Sequence, residues 1–256
     1  MVTYLLKKSY QHKSLIEVNF KDLWGDKGVF TTMRILGKPV KILFFKKHIK
    51  NLIKSLKIYK LNRANIENDI LKLIRLNIDK KKPYNHLLRV AISRKIISIS
   101  LRNRKTPKLK FNLKLINHKR VDPELKNLKY KLILKHLTKM DNTTSDVGLC
   151  YKKNILESGT SNILFIKDYT IYSPSKYIYK GVTYSFFKKK LGKIINKDIS
   201  VNSLNNYDEI LLIGSGKAVT TVETIKEINW KRKGLKYYKI LSNFYKKEIL
   251  KCSVYR

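Results

Sequence analysis

Two stretches of the chain carry apolar residues at helical spacing. Ile49, Leu52, Ile53, Leu56 and Tyr59 recur every three or four positions and predict a helix over His48–Leu61. Ile66, Ile70, Leu73, Ile74 and Asn77 repeat the spacing for a second helix, and Lys80-Lys81-Lys82-Pro83 breaks it. Around these helices the period shortens. Residues 1–20 alternate loosely through Leu15, Val18 and Phe20. Val29 to Ile35 predicts a strand, Gly37-Lys38-Pro39 a hairpin turn, and Val40 to Phe45 a returning strand. Leu87–Ser93 and Ile96–Leu101 follow as strands, and Leu109, Phe111, Leu113 and Leu115 alternate as a half-buried strand should. His118 to Glu124 is polar, contains Pro123, and is expected to link two domains. Beyond it, Leu128, Leu132, Ile133 and Leu137 predict a helix, and Val147–Tyr151 and Ile155–Leu156 a pair of strands. An apolar hairpin spans Ile163 to Tyr172, a helix runs from Gly181 to Leu191, Ile210–Ile213 is a buried strand, and Leu241, Phe244, Tyr245 and Ile249 mark a last helix. The expected fold class is α+β in two domains, residues 1–117 and 118–256, without internal repeats.

Composition agrees with a globular chain: 43% of its 256 residues are hydrophobic. No apolar run reaches the roughly 18 residues of a membrane span, and the first residues lack the layout of a signal peptide. Cys150 and Cys252 make neither a disulfide framework nor a zinc spacing, so no metal and a reducing cytoplasm are expected. The net charge of +39 changes the picture less than its size suggests. Only ten of the 57 basic residues are arginine, and the lysines are spread over the whole chain together with many Ile, Asn and Tyr. That bias follows A- and T-rich codons, and no RNA-recognition signature or zinc finger accompanies it. Weak, salt-sensitive polyanion binding is expected, a specific nucleic-acid partner is not.

Candidate chemistry centres on Glu157-Ser158-Gly159-Thr160-Ser161-Asn162, an acidic residue opening a small-residue loop ahead of the apolar hairpin. Gly181-Val182-Thr183 opens a helix, where unsatisfied N–H groups and the dipole favour an anion. Gly214-Ser215-Gly216 is a second small-residue loop able to bring backbone N–H groups to the same phosphate. Lys126 lies just past the linker, where desolvation would suit it to Schiff-base chemistry.

The order of these motifs resembles the class IV aminotransferase family. Its carriers are Lys126-Asn127-Leu128-Lys129-Tyr130, the Glu157 to Ile163 stretch, Gly181-Val182-Thr183, Asp208-Glu209-Ile210, and Gly214-Ser215-Gly216-Lys217-Ala218-Val219-Thr220-Thr221-Val222. Val29-Phe30-Thr31-Thr32 with Arg34, and His48 near a helix start, fit as well. The resemblance implies a fold type IV, D-amino acid aminotransferase-like enzyme with pyridoxal 5'-phosphate in the inter-domain cleft, working as a homodimer. Lys126 would be the Schiff-base lysine and proton shuttle, and Tyr130 would lie near the cofactor's phenolic oxygen. Glu157 would meet the pyridine nitrogen, and Val182, Thr183, Ser215 and Gly216 would hold the phosphate. Thr31-Thr32, where transaminases of the family more often show Glu-Thr, looks most like aminodeoxychorismate lyase, with Thr32 and Arg94 as candidate substrate residues. That branch converts 4-amino-4-deoxychorismate to 4-aminobenzoate and pyruvate for folate synthesis. The alternatives are a branched-chain or D-amino acid transaminase, and a basic binding protein that kept the fold without the chemistry. Three positions depart from the family pattern. Asn51 stands where an arginine usually aims at the cofactor phosphate, with Lys47, Lys50 and Lys54 nearby as point charges. Ser93-Arg94 is not followed by the glycine-rich loop of the lyase. Lys27 interrupts the usual Gly-Asp-Gly turn.

Overall fold

The computed structural model describes residues 4–255 and divides into two compact units. Of these residues the first comprises 4–104, 125–131 and 251–255. Its elements are β1 (Tyr4–Gln11), β2 (Glu17–Val18), β3 (Gly28–Gly37), β4 (Lys41–Ile42), α1 (Phe45–Ile58), α2 (Ile66–Asn77), β5 (Tyr84–Ser93) and β6 (Ile96–Asn103). The strands form one sheet in the order β2-β1-β6-β5-β3-β4, with antiparallel neighbours throughout. One face is continuous hydrocarbon. Val29, Met33 and Ile35 of β3, Leu88, Val90 and Ile92 of β5, and Ile97, Ile99 and Leu101 of β6 pack with Ile49, Leu52 and Leu56 of α1 and Ile70, Leu73 and Ile74 of α2. Alternation along each strand turns the polar set to the other face. There Thr32 stands opposite Arg89, which stands opposite Ser100.

The second unit comprises residues 105–124 and 132–250. It holds β7 (Asn112–Asn117), most of α3 (Lys131–Leu137), β8 (Ser145–Tyr151), β9 (Asn154–Ser158), β10 (Asn162–Lys167), β11 (Thr170–Pro174), α4 (Val182–Leu191), β12 (Ile195–Lys197), β13 (Ile199–Ser200), β14 (Glu209–Gly214), β15 (Ala218–Thr221), β16 (Thr224–Ile225), β17 (Trp230–Lys231) and α5 (Lys236–Lys251). Two sheets, β12-β11-β10-β14-β15 and β13-β9-β8-β7-β16-β17, bury a shared core. Phe111, Leu113 and Ile155 on one side meet Ile163, Phe165, Ile210 and Leu212 on the other. Helix α4 packs on β14. Among the described residues no helix is long and apolar enough to cross a membrane.

The division differs from the one expected at Asn117. Strand β7 pairs in parallel with β8 from Asn112↔Ser145 to Asn117↔Cys150, so residues 105–117 fold with the second unit. Lys126 goes the other way and folds with the first. Leu128 is not helical, because α3 begins only at Lys131, and Leu132 is 46% exposed. Leu109 lies outside β7 and is also exposed. The strand expected over Val40–Phe45 shrinks to Lys41–Ile42, and α1 starts at Phe45.

Candidate functional site

Backbone pairing places Lys126. Its carbonyl accepts the Phe30 N–H at 2.9 Å, the Leu128 N–H donates to the Gly28 carbonyl at 2.9 Å, and Val29 and Asn127 form an antiparallel bridge. The segment thus fills the edge of β3 that β4, paired only at Ile35 and Leu36, leaves open. So close an approach requires glycine at position 28. A Cβ there would stand 2.3 Å from the Ile92 carbonyl oxygen and 2.6 Å from Leu128 Cδ1. The Lys126 Nζ lies 4.9 Å from the centre of the Phe30 ring. Phe30 meets Trp24 and Tyr130 edge to face at 4.9 and 5.5 Å, so Tyr130 stands in the same aromatic cluster.

His48 comes to this lysine from the helical layer. It is buried in α1, and its Nδ1 is 2.8 Å from the Thr31 hydroxyl. Burial, reinforced by the Lys126 charge, lowers its pKa to about 3, so the ring is neutral at ordinary pH. The unfolded histidine titrates near 6.5, so on acidification the unfolded state takes up the proton first. Stability is full above that value and falls as the pH drops toward about 3, at ~1.4 kcal/mol per pH unit. His12 and His118 are shifted down by burial as well and add to the same window. Urea unfolding between pH 6.5 and 5 is therefore expected to show a steep loss that His48→Gln reduces, and an unchanged slope in the variant would contradict a buried neutral ring.

Thr31 and Thr32 point to opposite faces of β3. Thr31 serves His48, while Thr32 shares the polar face with Phe30 and Arg34. Arg94 is exposed at the tip of the β5–β6 hairpin, five residues from Arg89, which is the arginine facing Thr32. Asn51 follows His48 by one turn along α1, and Lys47, Lys50 and Lys54 are exposed.

In the second unit Glu157 is buried at the end of β9. Its Oε1 accepts the Arg120 Nε–H at 2.6 Å, and its Oε2 accepts the Tyr179 N–H at 3.2 Å. Arg120 is itself 2% exposed and also donates to the Pro123 carbonyl at 2.5 Å. A charge-assisted contact this close favours the ionised carboxylate. Three loops gather beside it. Asn162 pairs with Ile213, which sets the start of β10 against the end of β14. The Asn162 side chain then donates to the Tyr179 carbonyl at 2.6 Å and accepts the Gly181 N–H at 3.1 Å, which seats the first turn of α4. Val182 and Thr183 are buried in that turn, and their N–H groups have no acceptor within the helix. Ser215 and Gly216 lie in the turn of the β14–β15 hairpin, where Gly214 pairs with Ala218. Ser161 Oγ is buried without a hydrogen-bond partner among the described residues and would be 2.8 Å from a Cβ on Gly214.

Helix N–H groups, a glycine turn and an unsatisfied hydroxyl are the donor set a phosphate monoester requires. With a buried ionised carboxylate close by in the chain, the residues present fit pyridoxal phosphate. The sequence reading had no role for Arg120, Ser161 or Asn162. Among the described residues no group of His, Cys, Asp and Glu could hold a metal ion.

No curated protein sequence matches the chain. Solved structures do match its fold. The branched-chain aminotransferase of the archaeon Thermoproteus uzoniensis, determined with norvaline, superposes with a TM-score of 0.76 at 15% identity, covering 94% of this chain and 93% of that one. A "Putative 4-amino-4-deoxychorismate lyase" of Legionella pneumophila gives 0.71 at 17% identity, covering 87% and 91%. The PLP-bound form of a "hypothetical aminotransferase" of Mycobacterium tuberculosis gives 0.65 at 15%, covering 94% and 98%. The model of one protein family, amino-transferase class IV, matches residues 28–225, a span that begins with β3 and takes in Lys126, Glu157, the first turn of α4 and the Ser215-Gly216 turn. The chain belongs to the class IV aminotransferases.

Proposed function

We propose that this protein is a pyridoxal 5'-phosphate enzyme that converts 4-amino-4-deoxychorismate to 4-aminobenzoate and pyruvate. The cofactor is supported by the donor set above and by the PLP-bound relative of the same fold. Lys126 would hold the cofactor with Tyr130 near it, Glu157 would serve the pyridine nitrogen, and Val182, Thr183, Ser161, Ser215 and Gly216 the phosphate. When bound, pyridoxal phosphate supplies the electron sink for loss of a proton next to the substrate nitrogen. The chain's own groups do the rest. Lys126 Nζ takes the proton from the ring carbon that carries the amine, beside the neutral His48. Glu157, kept ionised by Arg120, holds a proton on the pyridine nitrogen. The bond between the ring and the ether oxygen breaks, the enolpyruvyl group leaves and takes up a proton to become pyruvate, and the ring becomes aromatic.

One observation favours the lyase over a branched-chain transaminase. Arg34, Arg89 and Arg102 share the polar face of the first unit's sheet, with Asp22 as the counter-charge paired to Arg89. The Nε and Nη1 of Arg89 are buried with no hydrogen-bond partner among the described residues. A face with this charge suits a substrate bearing two carboxylates better than one with an aliphatic side chain. The Thr31-Thr32 pair points the same way. The test is product analysis. With 4-amino-4-deoxychorismate alone, 4-aminobenzoate and pyruvate are expected in equal amounts. A keto acid formed only when an amino acceptor is added would assign the chain to the transaminases instead. A homodimer, eluting at twice the chain mass, and a cytoplasmic location are part of the same proposal.

A further inference from the structure

Asp146 is fully buried at the start of β8, and the proposed reaction has no use for it. Its Oδ1 accepts the Val147 N–H at 2.8 Å, and its Oδ2 accepts the Thr160 hydroxyl at 2.6 Å and the Ser158 hydroxyl at 3.2 Å. The Lys217 ammonium lies 3.9 Å from the same Oδ2. Lys217 is 7% exposed, donates to the Asn142 carbonyl at 2.9 Å and sits 4.5 Å from the centre of the Phe111 ring. In a chain whose many lysines are nearly all at the surface, a buried one calls for a reason.

The reason lies in what these groups join. Ser158 and Thr160 flank the loop that carries Ser161 and leads to Asn162. Lys217 closes the turn that carries Ser215 and Gly216. A buried charge pair is a weak source of stability, because desolvating both ions offsets their attraction. Its geometry, however, is exacting, since a shift of either loop opens the Asp146–Lys217 pair or the hydroxyl bonds to Asp146. We propose that Asp146 and Lys217 are positioning residues that lock the 158–161 loop to the 215–217 turn, so that both present their donors to the phosphate of the cofactor.

This rests on the cofactor reading above, and the test separates the two. Pyridoxal phosphate and pyridoxal, which lacks the phosphate, are titrated by absorbance into the wild type, Lys217→Met and Thr160→Val. Thr160 is at the surface, so Thr160→Val carries the test if Lys217→Met does not fold. The expected result is at least a ~10-fold loss of pyridoxal phosphate affinity in each variant, about the effect of one charge-assisted contact, with pyridoxal affinity unchanged. Equal weakening of both ligands, or no weakening, in folded variants would overturn the positioning role while leaving the cofactor assignment intact. A folded wild type that binds neither ligand would overturn the cofactor assignment and this proposal with it.

Discussion

Lys126→Ala is expected to remove the visible absorbance that pyridoxal phosphate acquires on attachment to the protein, and to lower turnover on the order of 10³-fold or more. The wild-type band should disappear with borohydride. Two roles fall on one side chain here, attachment of the cofactor and transfer of the substrate proton, so no neighbour can take over both. The fold should not suffer. The contacts that hold this segment are backbone bonds, from Phe30 N–H to the Lys126 carbonyl and from Leu128 N–H to the Gly28 carbonyl, and alanine keeps them. Loss of the lysine also removes the positive charge that helps hold the His48 pKa down, so the histidine should titrate somewhat higher in the variant, while burial keeps it below its usual value. A variant that retains the band would show that another lysine carries the cofactor. A wild type that never develops one while folded would favour a basic binding protein on this fold.

Arg120→Met is expected to destabilise the second unit by about 3–5 kcal/mol, since it leaves the Glu157 carboxylate buried without its charged partner. Glu157→Gln removes the charge instead, and the pyridine nitrogen then loses the group that keeps it protonated. Turnover should fall by roughly 10²–10³-fold, and the bound cofactor's spectrum should change. The double variant discriminates this account from a general packing defect. With both charges gone, the destabilisation should be much less than the sum of the two single effects, because the pair acts as a unit. Additive losses in thermal or urea unfolding would mean that Arg120 stabilises through its Pro123 contact and its bulk rather than through Glu157.

Much of this protein follows from local pattern. Apolar spacing of three and four predicts α2 as it stands and α1 to within a turn at each end, because a helix buries one stripe whatever it packs against. The Glu157 to Asn162 loop, the Gly181-Val182-Thr183 helix start and the Ser215-Gly216 turn are contiguous stretches, and their order along the chain suffices to suggest the family. What tertiary structure decided is which distant segments pair. Lys126 joins the first unit because the open edge of β3 takes up residues 126–128 as a bridge, and the second unit claims residues 105–117 because β8 offers a parallel edge to β7. A backbone hydrogen bond depends on no side chain, so neither pairing leaves a periodic mark. Arg120 and Lys217 were hidden for a different reason. In a chain with 57 basic residues, an arginine or lysine carries almost no information by its identity. Only burial against a carboxylate, Glu157 for Arg120 and Asp146 for Lys217, sets these two apart from the solvated majority, because a charge withdrawn from water must find its partner inside the fold.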